Sequence, residues 1–172
     1  MIAASSHLGG LRNHRLGVHS HAERTIMKTP GSIFLLLAAV AAFLLALLHI
    51  AIIFTGRRGY GYFGAAQLIP LLDKGSPWPA IITFILAAIF TVCGVYGLSG
   101  VDILPHLPLL RLGLIAIGAV FTLRGLALVK EIPQYISHST SFPARELVFS
   151  SVSLIIGLLY LVGLVLRWRD LA

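Results

Sequence analysis

Four residues capable of chemistry sit inside long apolar runs: His49, Thr83, Arg124 and Ser150. Three more, Arg57, Arg58 and Gln67, fall in the glycine-rich stretch GRRGYGYFGAAQ. A neutral imidazole is both a hydrogen-bond donor and an acceptor, and a guanidinium in apolar surroundings seeks an anion. Placing an ionisable group near a bilayer centre costs at least about 2.5 kcal/mol, so one aimed inward is a functional candidate. The expectation is a polar pocket that ligates the head of a lipid or another small amphiphile through these residues. A blander reading runs beside it. His49 would then only bond a Ser or Thr on a neighbouring helix, and Arg124 would snorkel into headgroups. Arg57 and Arg58 would grip phosphates from outside, with Tyr60, Tyr62 and Trp78 as interface anchors.

Other chemistries find less support. An intramembrane enzyme could pair His49 with Ser150 or Glu146 as base and nucleophile, and no catalytic residue is assigned. The glycines at 56, 59, 61 and 64 do not form a phosphate-cradling loop, since no strand precedes them and no Lys-Ser/Thr pair follows. The lone Cys93 excludes an internal disulfide and a multi-cysteine metal site, and reads as a small packing residue. A haem would need a second inward histidine, but His106 falls on the far side and His138 in a loop. No metal or cofactor is expected.

What positions these residues follows from composition. Of 172 residues, 58% are hydrophobic and 11% charged; soluble domains average about 25% charged. Such a short chain has too little interior to hide that apolar surface from water, whereas a bilayer removes the need. Runs at 33–54, 79–98, 107–129 and 147–166 are each long enough for a hydrocarbon core, which takes roughly 20 helical residues. Membrane strands would alternate over about ten residues instead. The fold class is therefore all-α: an integral membrane four-helix up-down bundle over 27–172, with a short interfacial helix in the first loop, where YFGAAQLIPLL is apolar enough to lie along the membrane surface.

Small residues mark the packing faces. Ala38, Ala42, Ala46 and His49 share one stripe, as do Ser150, Ser153, Gly157 and Tyr160. Thr83, Ala87 and Gly94 mark the second helix, and Gly118, Thr122 and Gly125 the third. At 1.5 Å per residue, His49 lies about 9 Å inside its helix end, Arg124 and Thr83 about 7.5 Å, and Ser150 about 6 Å, all at one end of the bundle. That shared depth places the pocket beneath the first and third loops. On the opposite side only Arg111 and Tyr96 are comparable.

Residues 1–26, rich in His and Gly, read as a disordered tail, and a start of translation at Met27 is the favoured reading. The formal charge of +7 is spread over helix ends and the tail, which points to lipid headgroups and not to nucleic acid. Arg12, Arg15, Arg24, Lys28, Arg111, Arg167 and Arg169 share one side; Arg57, Arg58, Lys74, Lys130 and Arg145 share the other. The imbalance predicts cytoplasmic termini, and it disappears if the chain starts at Met27.

The segments HIAIIFTGRRGYGYFGAAQ, GVYGLSG and LRGLAL resemble a family of small bacterial membrane proteins with four helices and no assigned activity. The resemblance implies a bacterial inner-membrane location. Relatives in that family often carry an acidic residue after FGA, where this chain has Gln67, which weakens any proton-transfer role. The leading expectation is lipid or amphiphile binding. The alternatives are a structural or accessory subunit of a larger membrane complex, with a homo-oligomer or complex partner, and an intramembrane enzyme or small transporter.

Overall fold

The computed structural model describes residues 29–137 and 144–171. The tail expected at 1–26 and the tip of the third loop lie outside them. The described chain is helical: α1 (Pro30–Thr55), α2 (Arg57–Tyr62), a 3-10 turn (Ala66–Leu68), α3 (Ile69–Asp73), α4 (Trp78–Ser99), α5 (Leu110–Gly125), α6 (Leu128–Ser137) and α7 (Ala144–Leu166). Four spans are long and apolar enough to cross a membrane: α1, α4, α5 continued by α6, and α7. The chain is a multi-pass membrane protein, and its spans form a four-helix bundle.

The helix ends have local causes. Pro30 sits in the first turn of α1, where its missing N–H is no loss. Gly56 ends that helix with φ +56°, a left-handed turn open to glycine. It swings the chain into α2 and α3, two short helices where the sequence predicts one, over YFGAAQLIPLL. The third span starts at Leu110 and not at 107. Ser99 Oγ donates to the Pro105 carbonyl at 2.9 Å and accepts the Leu107 N–H at 3.0 Å, holding this segment as loop. At its other end the span breaks after Gly125 and resumes as α6, which runs through Pro133 into what the sequence read as loop. Alone, the 16 residues of α5 reach only about 24 Å, short of a 30 Å core. Hence α6 completes the crossing.

The spans pack as two tight pairs, α1 with α4 and α5 with α7, joined chiefly by α1 against α7. Glycine makes both pairs close. A Cβ on Gly97 would lie 3.2 Å from the Cα of Ala39, and one on Gly125 would lie 2.6 Å from the Leu154 backbone nitrogen. In lipid no hydrophobic force drives helices together, so this backbone proximity is what association rests on. The expected stripes are inward: Ala38, Ala42, Ala46, Thr83, Ala87, Gly94, Gly118, Gly125, Ser150, Gly157 and Tyr160 are buried, while His49, Thr122 and Ser153 are half-buried.

The α4–α5 side is the sparsest of the four. Near the short loop the two helices meet, with the Tyr96 ring against Gly113. Away from it they part. The α4 stripe that continues from Tyr96 runs Cys93, Ile89, Leu86, Ile82; Cys93 is 8% exposed, whereas Ile89 is 51% and Leu86 and Ile82 are each 39% exposed. On α5, Gly113 and Ile117 are half-buried but Val120 is 66% exposed. The seam is thus a wedge, closed near Cys93 and uncovered from Ile89 and Val120 toward the first and third loops. Phe90 and Phe121 bridge its floor, with ring centroids 5.8 Å apart.

The pairing is open to test. A Cβ on Gly157 would come within 2.6 Å of the Thr122 backbone nitrogen, so Gly157→Ala should destabilise the fold by about 1–3 kcal/mol. At Gly61 the nearest atom is Ile69 Cδ1 at 3.7 Å, so Gly61→Ala should change little. Thermal unfolding of both variants in one detergent compares them.

Candidate functional site

Under the first and third loops the polar residues gather into small groups. Arg124, on the α5 stripe of Gly113, Ile117 and Val120, borders the open seam. Its Nη1 donates to Ser150 Oγ at 2.8 Å, and that hydroxyl donates to Glu131 Oε1 at 2.9 Å. Ser150 is fully buried and Arg124 is exposed. The chain Arg124–Ser150–Glu131 thus ties α5, α6 and α7 together at the break in the third span. Glu131 Oε2 is buried with no hydrogen-bond partner among the described residues. No ion pair joins Arg124 to a carboxylate among the described residues, because Glu131 bonds the serine instead.

Thr83 belongs to a second group. Its hydroxyl donates 2.8 Å to the Pro79 carbonyl and lies 3.2 Å from the Tyr60 phenol oxygen. Tyr60, expected as an interface anchor, is instead 1% exposed: the left-handed Gly56 folds α2 back over the bundle and carries the ring inside. Tyr62 and Trp78 are exposed, as anchors are. Phe63 stacks on Phe149 of α7 at 5.9 Å, laying the first loop across the bundle end.

His49 forms a third group at the wedge floor, its ring 4.8 Å from that of Phe90. Nδ1 lies 2.7 Å from the Leu45 carbonyl of its own helix. A carbonyl only accepts, so Nδ1 carries the proton, and on the neutral ring Nε2 is left with a lone pair. The Ser or Thr partner expected on a neighbouring helix is therefore not what holds this nitrogen.

Arg57 pairs with Asp73 at 2.8 Å on the surface, while Arg58 and Gln67 are exposed. The structure brings Arg124 and Ser150 into direct contact. It distributes His49, Thr83, Arg57, Arg58 and Gln67 around them without hydrogen bonds among the set.

The opposite end is richer than the sequence reading allowed. Arg167 is 7% exposed, and its guanidinium donates at 2.6 Å both to the Gly100 carbonyl and to Asp102 Oδ2. Asp102 Oδ1 accepts from His106 Nε2 at 2.7 Å, and Asp170 lies 3.6 Å from Arg167 Nε. Counting Arg167 only as a loop charge missed this. The signal was its place on the Tyr160–Gly163–Leu164 stripe, three and four residues on, where a helix keeps the same face inward. Glu131 was missed because Pro133 read as a helix breaker.

No family model, curated protein or solved structure matches the chain. Its chemistry therefore has to be argued from its own side chains.

Partial burial pushes the Asp102 carboxyl up, but the bonds and positive charges of Arg167 and His106 outweigh this and hold it below its usual 3.8. A depressed carboxyl adds stability above the unfolded value and loses it as pH falls through the folded one. Melting temperature in detergent should drop as pH is lowered from 5 toward about 2, with a shallower drop in Asp102→Asn.

Proposed function

We propose that this chain binds a lipid or similar amphiphile at the open end of the α4–α5 wedge, with Arg124 taking the anionic part of its head. The observation that carries this is the wedge itself, an apolar seam open to acyl chains with a guanidinium at its mouth. Arg124 bonds a neutral hydroxyl and so keeps its charge for a ligand. An apolar groove with few convergent polar groups is the usual form of such a site.

The unmet groups define the headgroup further. Glu131 Oε2 is an acceptor without a partner among the described residues, and a neutral His49 ring would offer a second at Nε2. They favour a ligand that brings hydroxyl or ammonium donors beside a phosphate. The membrane is taken to be a bacterial inner membrane and the termini cytoplasmic, on the family resemblance and the distribution of basic residues.

The accessory-subunit reading requires small-residue faces left outward. The glycines of the spans instead pack within the chain, and the exposed surface is dominated by large side chains such as Phe54, Phe84, Leu112 and Val165. That surface suits acyl chains better than a protein neighbour. The enzyme reading lacks its pair: Ser150 is engaged by Arg124 and Glu131, and His49 by Leu45.

Native mass spectrometry of protein released from membranes by a mild detergent tests the proposal. The wild type should retain a phosphate-bearing lipid, and Arg124→Gln should lower occupancy by about five-fold, the effect of one basic group near a membrane surface. His49→Leu should weaken retention with the fold kept. Equal lipid retention in all three proteins would defeat it.

A further inference from the structure

A second amphiphilic groove lies at the other end of the bundle, where the short loop enters α5. It is lined by His106, Leu107, Leu109, Leu110, Arg111 and Leu112, with Leu171 beneath. Leu109 and Leu112 project outward. Leu109 is left-handed, with φ +56°, and caps α5 with no side-chain hydrogen bond. The amides of Leu110, Arg111 and Leu112 bond no described residue.

Arg111 is what gives this groove a sign. Its Nη2 donates to the Trp168 carbonyl at 2.7 Å, and the guanidinium lies 4.8 Å from the centre of the Trp168 ring. Its Nε is buried with no partner among the described residues. No carboxylate pairs with it among the described residues: Asp102 is committed to His106 and Arg167, and Asp170 to Arg167. Neither a backbone carbonyl nor an aromatic face cancels a full positive charge. His106 is already bonded through Nε2, and its Nδ1 makes no hydrogen bond among the described residues. The groove therefore combines one uncompensated cation, a helix start with free amides, and leucines facing hydrocarbon.

The geometry points to a binding site for an anionic phospholipid of the leaflet next to the short loop, phosphate against Arg111 and acyl chain along Leu109 and Leu112. The site is separate from the Arg124 wedge and stands whether or not that wedge binds lipid. Charge decides against the chain's own N-terminal residues as occupants. Residues 1–28 carry Arg12, Arg15, Arg24 and Lys28 against the single acid Glu23, so they would bring positive charge to a positive groove.

Trp168 makes the site observable. Trp78→Phe leaves Trp168 as the only tryptophan, and reconstitution into vesicles of phosphatidylcholine with acyl-brominated phosphatidylglycerol reads its contact with that lipid. Brominated phosphatidylglycerol should reach half-maximal quenching at a mole fraction about five-fold below brominated phosphatidylcholine. High salt should reduce the preference, and Arg111→Gln should abolish it. Arg111→Lys, which keeps the charge, should retain most of it and controls for loss of fold. Equal quenching by the two lipids in the Trp78→Phe protein would overturn the assignment, as would a preference that survives Arg111→Gln.

Discussion

Glycine brings the helices together within each pair, but at the terminal end the two pairs are held by the buried guanidinium of Arg167. Gly31 makes the room: a Cβ there would lie 2.7 Å from Arg167 Cγ. Removing an ion from water costs several kcal/mol even after relaxation, and only good partners offset that. The partners are the Gly100 carbonyl and the Asp102 carboxylate, both in the turn after α4. To present it, Asp102 adopts φ +60°, a conformation aspartate tolerates better than most residues. One side chain of α7 thus fixes the exit of α4 and, through the short loop, the point where α5 can begin.

From that pinned end the rest of the architecture follows. Tyr96 against Gly113 and the Tyr160 hydroxyl on the Cys93 carbonyl at 2.9 Å keep the pairs in contact up to the middle of the bundle. Beyond that no glycine brings α4 and α5 together, and the spacing is set by Phe90 and Phe121. A linked row of rings, His49, Phe90, Phe121 and Tyr160, crosses the interior there. Rings that wide hold two helices apart as well as together. Below them the seam opens, and the loop-side polar groups sit at its mouth.

Much of this was legible in the sequence, for a physical reason. In lipid the hydrophobic run and the small-residue stripe are the whole code for span and face, so both could be read off at their periods. The depth of His49, Thr83, Arg124 and Ser150 was likewise a matter of counting residues. What was not legible depends on backbone turns. Tyr60 is carried inward by the left-handed Gly56, a rotation that no periodicity records. Glu131 reaches Ser150 only because the third span breaks at Gly125 and resumes. Arg167 is different: its stripe was available, but it directly follows the span read at 147–166 and so counted as a flanking charge. Burial at that position depends on Gly31, more than 130 residues away.

The two half-hidden ends spend their arginines differently, and this contrast separates framework from site. Arg167 meets a carboxylate directly, so its charge is consumed in holding the fold. Arg124 meets a serine, and the nearby carboxylate of Glu131 bonds that serine from the other side. A hydroxyl relaying between two ions leaves each only partly compensated: the guanidinium retains donors and the carboxylate keeps a buried oxygen unmet. For a structural lock, direct pairing would be the stronger arrangement, because unmet buried groups cost free energy. A site that exchanges ligands has the opposite requirement. It must leave its charges unsatisfied until something arrives that carries both an anion and a donor. The serine between Arg124 and Glu131 keeps them so, buried where α5, α6 and α7 meet.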